Sequence, residues 1–501
     1  MAIRFVCFDF DGVFSDCKFY VNINGVHSKG YNGKDGYSIK MLKDNGIKTA
    51  LLTAHDSPCI KHICKLNHFN KLDYVNKGSR NKIEVLIKWK EELGLEWINI
   101  AYIGDDISDI KCLQKVGLAG CPSDAIPEVK AVCNFISQYG GGAGAVREFT
   151  NYILEYNENN YIISPHSLIN KYPTTDEIRF FVKRTKNEII NIMNGTDDRF
   201  LVIVGPCSVH NVEELSMYIV KLKEMVEKYK HKLLIIMRAY MEKPRTIGGW
   251  KGLMNDPRLD GGNDISAGVE ITRKLFLYLN SIGIGIAYEF LNFHELKYIK
   301  DLVSWGCIGS RTSQSQIHRN IASQLDIPFG IKNDTSGNVK TAVESVKACS
   351  LNHSFIDVTD DCKYYVSNTF GNKNCHVVLR GGHDGNKYIS NYGPSHIDKT
   401  LSLLEKYELK TKLMVDCSHG NSGKQHLNQL TVLDSLIFYN KSHKNIIKGY
   451  MIESYINSGN QKLTNNLKFG VSITDECVDL DTTDVMLCKL SRSCPKVISA
   501  L

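Results

Sequence analysis

Asp9 and Asp11 stand two residues apart in FDFDGVFSD, directly after an apolar run. Carboxylates at that spacing on a strand-to-loop exit can divide the work of a nucleophile and an acid/base. Further polar groups follow in order: Thr53 after another apolar run, Lys82 opening a helical pattern, and Asp105, Asp106 and Asp109 in GDDISD. A lone Asp-x-Asp is most often just a loop, whereas four ordered motifs are hard to reach by chance. The rest of the chain carries a second set: Arg238, Glu289, Arg311, Lys332, Arg380, His419 and Glu453. Each falls at or just after the end of a short apolar run, a regularity that scattered loop charges would not show.

The elements that must position these groups are readable from apolar periodicity. In the first part, Ile3–Phe8, Ile47–Thr53 and Asn99–Gly104 read as buried strands, and Tyr37–Asp44 and Asn81–Leu93 as helices. That alternation predicts a parallel sheet wrapped by helices, over residues 1–154. A glycine-rich segment, YGGGAGAVRE, then leads to a polar, Asn-rich stretch, and residues 155–163 are expected to be a linker. In residues 164–501 eight further apolar runs alternate with helix-length segments. They are Leu201–Gly205, Leu234–Arg238, Gly285–Phe290, Gly306–Ser310, Pro328–Lys332, His376–Arg380, Lys412–Asp416 and Gly449–Glu453. Eight such units predict a (β/α)8 barrel, whose active site is built at the carboxyl ends of the strands. Ser354–Val358 and Tyr364–Asn368 read as an inserted hairpin.

The barrel segments GPCSVH, MRAYMEKPRTIGGWKGLMNDP, WGCIGSRTSQSQIHR, GIKNDTSGNVK, CHVVLRGG, DCSHGNSGKQ, MIESYINSGNQ and SITDEC occur in that order. Together they closely resemble the type I 3-deoxy-D-arabino-heptulosonate 7-phosphate (DAHP) synthases, from about Ser164 nearly to the C-terminus. The KPRT motif separates them from the related synthases that make the eight-carbon octulosonate. The resemblance implies a metal site of Cys207, His419, Glu453 and Asp475. That mixed sulfur, nitrogen and oxygen set suits Mn, Fe, Co or Zn. It implies a phosphoenolpyruvate cradle of Arg238, Arg311, Lys332 and Arg380, where guanidinium forks fit phosphate and carboxylate. It places erythrose 4-phosphate on Lys243, Arg245 and Thr246, with Lys243 also catalytic and Glu289 positioning the attacking water. Aromatic amino acids often inhibit such enzymes through the N-terminal extension and the hairpin, but Asp326 stands where a small hydroxyl residue is usual.

The first part resembles the haloacid dehalogenase superfamily. Too few residues separate Asp16 from Thr53 for a separate cap domain, and KDGYSIKML, YIGDDISD and GGGAGAVRE narrow the likeness to capless 3-deoxy-octulosonate 8-phosphate phosphatases and the phosphatase domains linked to sialic acid activation. By that resemblance Asp9 attacks phosphorus, Asp11 shuttles the proton, and Thr53 and Lys82 neutralise the phosphoryl oxygens. Asp9, the Asp11 carbonyl and Asp105 hold Mg²⁺, which prefers oxygen ligands. It also implies a homo-oligomer, a tetramer favoured, in which the glycine-rich tail reaches a neighbouring active site. Ala54 and His55 in TAHD depart from the usual Thr-Gly-Arg, which points to altered specificity or weaker activity. Three roles are open for this domain: a phosphatase of DAHP, a phosphatase of another sugar phosphate, or a regulatory and oligomer-forming module.

Composition limits the alternatives. With 501 residues, 43% hydrophobic and 23% charged, the chain needs more than one core and shows no disordered tract. Its net charge of +7 is spread without basic tracts, so nucleic acid is not an expected partner. No apolar run approaches a membrane span, and Asp9 and Asp11 interrupt any signal-like start. Sixteen scattered cysteines then read as reduced thiols in a cytoplasmic protein. His62, Cys64 and His68 lack the companions that zinc spacing requires.

Overall fold

The computed structural model describes residues 2–21, 23, 27–159, 162–443, 445–464 and 466–495. The chain forms two compact units, one ending at Ser167 and the other starting at Leu168.

The first unit is a six-stranded sheet of β1 (Phe5–Phe8), β2 (Lys48–Thr53), β3 (Tyr74–Lys77), β4 (Ile100–Ile103), β5 (Leu118–Cys121) and β6 (Phe135–Ile136). All neighbours pair in parallel, in the order β3-β2-β1-β4-β5-β6. Every residue of β1 is buried because helices cover both faces, as parallel sheets require. Val6 and Phe8 join one apolar cluster with Ile39, Leu42 and Phe149. Phe5 and Cys7, pointing the other way, join another with Leu86, Trp89 and Tyr102. The chain runs outward from β1 through β2 to β3, then returns past β1 to β4 on its other side. The strand order therefore reverses at β1, where open α/β sheets leave a crevice at the strands' carboxyl ends. The segment expected to be a linker begins as structure: the helix Ala145–Asn159 runs into it as far as Asn159. Val146, Phe149, Ile153 and Tyr156 are buried on one side of that helix at three- and four-residue spacing.

The second unit opens with the helix Asp176–Asn194, capped by Thr175, whose side chain accepts from the Ile178 amide, and ended by Gly195 in the left-handed region. Its apolar face brings Ile189, Ile192 and Met193 against Leu201, Ile203 and Ile236, closing the barrel core. The barrel comprises β7 (Phe200–Gly205), β8 (Leu233–Arg238), β9 (Ile286–Glu289), β10 (Trp305–Ile308), β11 (Phe329–Lys332), β12 (Cys375–Leu379), β13 (Leu413–Asp416) and β14 (Ile447–Glu453). Eight parallel strands close in sequence order, β14 pairing with β7 so that Glu453 lies opposite Gly205. The expected hairpin is present as the antiparallel pair His353–Val358 and Tyr364–Thr369.

Candidate active sites

At the carboxyl ends of the barrel strands lies a cavity of about 340 Å³. Arg238, Lys243, Arg245, Thr246, Glu289 and Arg311 line it, and so do Lys332, Arg380, Cys207, His419 and Asp475. Glu453 stands behind them, 1% exposed. The eight strands thus gather on one surface the residues that the sequence spreads over more than half its length.

Cys207 Sγ, one Glu453 oxygen and one Asp475 oxygen lie within 4.8 Å of one another. His419 adds Nε2, 3.5 Å from Glu453 Oε1. Its Nδ1 is hydrogen-bonded to Ser418 Oγ at 2.7 Å and lies 2.9 Å from Asp416 Oδ2, which orients the ring. His419 adopts φ of 56°, a left-handed conformation that costs a non-glycine residue on the order of 1 kcal/mol and clusters at functional sites. Glu453 Oε1 is buried with no hydrogen-bond partner, although Arg238 comes within 3.1 Å of it. A carboxylate oxygen left in that state beside sulfur and imidazole suits a divalent cation. Burial, then the Glu453 charge, pushes the Cys207 thiol up to about 11. Burial also raises the Asp475 carboxyl, but Lys243, His419 and Lys424 outweigh it and hold the group well below the carboxylate range.

Around this cluster the cations are fixed by their own neighbours. Arg238 donates to the carbonyls of Pro206 and Cys207, both at 2.5 Å, and its guanidinium lies 3.8 Å over the Tyr240 ring. Lys332 sits 3.4 Å from Asp416. The Arg380 amide donates to Asn333 Oδ1 at 2.8 Å. Arg311 Nε donates to Thr246 Oγ1 at 3.2 Å, tying together two segments that line the cavity. Arg245 Nε donates to the Trp250 carbonyl at 2.7 Å.

In the first unit the acidic groups meet at the β1 switch point. Lys82 Nζ lies 2.8 Å from Asp9 Oδ2 and 2.8 Å from Asp109 Oδ1. Oxygens of Asp9, Asp105 and Asp109 come within 4.8 Å of one another. Burial and then the Asp109 charge raise Asp9 to about 7, and burial and then Asp9 raise Asp105 to about 8. Buried carboxyls that also repel one another are what a divalent cation would relieve. The Asp11 carboxylate faces elsewhere: Lys29 Nζ pairs with one oxygen, and His55 Nδ1 lies 2.7 Å from the other. Burial raises Asp11, but Lys29 and His55 outweigh it and lower the group. Thr53 is buried at the end of β2, its hydroxyl accepting from the His55 amide at 3.2 Å. Gly12 has φ of +78°, and a Cβ there would lie 1.9 Å from Asp105 Oδ2. The glycine-rich segment, which the resemblance sends to a neighbouring site, lies against its own chain. The Gly142 amide donates to the Val13 carbonyl at 2.9 Å, and those of Gly144 and Arg147 donate to Asp35.

Residues 171–487 match the DAHP synthetase I family. The chain belongs to that family. Residues 21–148 match the haloacid dehalogenase-like hydrolases. The Phe-sensitive phospho-2-dehydro-3-deoxyheptonate aldolase of Escherichia coli (strain K12) is 39% identical over 347 residues, covering 69% of this chain and 98% of that protein. The Trp-sensitive enzyme of Buchnera aphidicola subsp. Acyrthosiphon pisum is 42% identical over 320 residues, 64% of this chain and 90% of that protein. Among solved structures, the phospho-2-dehydro-3-deoxyheptonate aldolase of Francisella tularensis SCHU S4 superimposes with a TM-score of 0.64. It is 42% identical and covers 67% of this chain and 97% of that one.

Several groups in the DAHP synthase barrel escaped the sequence reading. Lys424 donates to Asp475 Oδ1 at 2.9 Å, and Tyr240, Glu242 and Ser310 share the cavity wall. Lys424 was within reach, since it follows His419 inside DCSHGNSGKQ. In the haloacid dehalogenase-like unit Lys29 had no signal, because it lies outside every motif and arrives by way of a loop. Asp109 was visible only as part of GDDISD; the structure makes it the third member of the Asp9–Asp105 group, where the resemblance supplied the Asp11 carbonyl.

Proposed function

We propose that the barrel condenses phosphoenolpyruvate with erythrose 4-phosphate and water, giving DAHP and phosphate. The observation that carries this is the cavity in which three buried or half-buried cations, Arg238, Lys332 and Arg380, and the exposed Arg311 face a sulfur, nitrogen and oxygen donor set. Arg238, Arg311, Lys332 and Arg380 hold the phosphate and carboxylate of phosphoenolpyruvate. Lys243, Arg245 and Thr246 hold erythrose 4-phosphate, so that C3 of the enol faces the aldehyde carbon. Cys207, His419, Glu453 and Asp475 would hold Mn, Fe, Co or Zn, which when bound polarises the aldehyde carbonyl. As the C3–C1 bond forms, positive charge develops at C2 and the surrounding polar groups stabilise the charges that build up. Glu289 positions the water that adds to C2, and the C2–O bond to phosphate then breaks.

The haloacid dehalogenase-like unit, in our reading, hydrolyses the phosphate ester of a 3-deoxy-2-ulosonate, with DAHP as the first candidate. Asp9 attacks phosphorus, Asp11 carries the proton of the leaving oxygen, and Thr53 and Lys82 neutralise the phosphoryl oxygens. Asp9, Asp105 and the Asp11 carbonyl, supported by Asp109, would hold Mg²⁺. A second reading, a regulatory or oligomer-forming module, is favoured by one observation: both oxygens of Asp11 already carry a partner. A homo-oligomer, tetramer favoured, belongs to either reading. The sixteen cysteines are all free, which supports a cytoplasmic setting. Among the described residues no helix is long and apolar enough to cross a membrane.

The test is inorganic phosphate released per phosphoenolpyruvate consumed, with erythrose 4-phosphate, Mn²⁺ and Mg²⁺ present. Two phosphates, falling to one in Asp9→Asn, support both activities acting on one substrate line. One phosphate, unchanged in Asp9→Asn, removes DAHP as the phosphatase substrate. No phosphate above an erythrose 4-phosphate blank sinks the synthase reading.

A further inference from the structure

The segment that carries Lys243, Arg245 and Thr246 begins at a buried carboxyl. Glu242 is 7% exposed, four residues beyond the end of β8, and it meets a second carboxyl, Glu295, also 7% exposed. Glu295 lies on the short helix Phe293–Leu296 that follows β9. Tyr288 donates to Glu242 Oε2 at 2.7 Å, and Asn255 Nδ2 donates to Glu295 Oε1 at 3.4 Å. Glu295 Oε2 is buried with no donor of its own. The other titratable groups facing the pair are Glu289 and Tyr288 from β9 and Tyr298 beyond the short helix. Among the described residues no salt bridge reaches either carboxyl.

Two carboxylates in contact without a cation repel one another strongly at low dielectric. One proton between them converts that repulsion into a charge-assisted hydrogen bond. We propose that Glu242 and Glu295 share a single proton, and that this proton positions the Lys243–Thr246 segment to receive an aldehyde phosphate. The connection is direct. Lys243 is the next residue, its amide donates to the Lys251 carbonyl at 2.7 Å, and the Met254 amide donates to the Met241 carbonyl at 3.0 Å. The loop from Met241 to Met254 is thus folded on itself, with Glu242 as its inward anchor against the β9 loop. Glu295 is a positioning residue, acting on substrate through the segment it fixes; Glu242 anchors that segment and also lines the cavity. The inference rests on the reading of that segment as the erythrose 4-phosphate site.

Burial, then contact with Glu295, raises the Glu242 carboxyl well above the usual range, so the shared proton is released in the direction of rising pH. Its loss leaves two adjacent negative charges and loosens the segment. The expected result is a KM for erythrose 4-phosphate that rises about three- to tenfold as pH is raised across the range in which the enzyme stays folded, with kcat and the KM for phosphoenolpyruvate steady. In Glu295→Gln the amide donates to Glu242 in place of the proton, and the rise disappears. An equal rise in Glu295→Gln overturns the proposal. Infrared spectroscopy of the whole protein supplies a check that needs no turnover. A protonated carboxylic acid band present in the wild type at neutral pH and reduced in both Glu295→Gln and Glu242→Gln supports the shared proton; an unchanged band overturns it. Arg245→Ala separates the underlying reading. If its KM for erythrose 4-phosphate equals that of the wild type, the substrate assignment of the segment fails, whatever the infrared band shows.

Discussion

Lys243 Nζ lies 2.7 Å from Cys207 Sγ and 3.1 Å from Asp475 Oδ2. One ammonium group therefore touches two of the atoms that the donor cluster offers to a metal. It is also part of the cavity wall. A lysine so placed serves two needs: it balances the charge of the cluster, and it is poised beside whatever oxygen the cluster polarises.

Lys243→Met is expected to lower kcat/KM by a factor of about 10² to 10³, the range for removing one cation or donor aimed at developing charge. Metal affinity is expected to hold or rise, because the ammonium no longer competes for Cys207 and Asp475. Titration with Co²⁺, followed by its thiolate charge-transfer absorption, measures this directly. Loss of the absorption in Lys243→Met would make the lysine a structural support of the cluster. The same absorption should vanish in Cys207→Ser. Since Cys207 is pushed up to about 11 in the metal-free protein, binding must displace its proton, and affinity should increase with pH.

Arg238 is wholly enclosed, and its guanidinium holds Glu453, two carbonyls and the face of Tyr240 together. Arg238→Met leaves Glu453 buried beside an apolar chain. Removing one member of a buried pair costs about 3–5 kcal/mol. Urea unfolding of the metal-free protein is expected to show a loss of that size. Arg238→Lys keeps the charge but not the planar fork, so it should recover part of the stability and little of the activity. Full activity in Arg238→Lys would mean that charge alone suffices at this position.

The barrel was legible because its strands are continuous apolar runs with catalytic residue types at their ends, and closure brings those ends together. The first unit was half legible. β1, β2 and β4 are strongly apolar, whereas β3 reads YVNK at a partly exposed edge, β5 is the small-residue run LAGC, and β6 spans two residues. The polar stretch after Glu155 reads as a loop by composition, yet Ile153 and Tyr156 pull it into the helix that precedes it. Lys29 was out of reach for a different reason. Its pairing with Asp11 depends on where a loop returns, and no local pattern encodes that.

In the metal-free protein, Asp9 at about 7 and Asp105 at about 8 both lie above their unfolded values. The native state then binds protons more tightly than the unfolded chain. Their stabilisation is complete below about pH 4 and is lost as pH rises through about 7 to 8. The first unit should therefore melt at progressively lower temperature over that window. Mg²⁺ should restore the loss, most effectively at the alkaline end. Asp105→Asn should flatten the pH dependence and remove the response to Mg²⁺. Gly12→Ala should also remove that response, since its methyl group would occupy the Asp105 oxygen's position. Calorimetry with and without Mg²⁺ decides the matter; a melting temperature independent of both pH and Mg²⁺ would contradict it.

Lys29 and His55 hold Asp11 as a carboxylate, which sets its value as a proton donor. A leaving sugar oxygen needs that proton, so hydrolysis of an alkyl phosphate should decline as pH rises past the titration of Asp11. Lys29→Met removes the nearer cation and lets burial raise Asp11. The declining limb of the kcat/KM profile should then move to higher pH. p-Nitrophenyl phosphate provides the contrast, because its leaving group departs without a proton and its profile should keep the wild-type limb. A shift shared by both substrates would place the effect of Lys29 on Asp9 and the phosphoryl group instead. Absence of Mg²⁺-dependent hydrolysis of either ester by the wild type would turn the argument around. The Lys29–Asp11–His55 contacts would then be a lock on an idle site, and the unit would act by association alone.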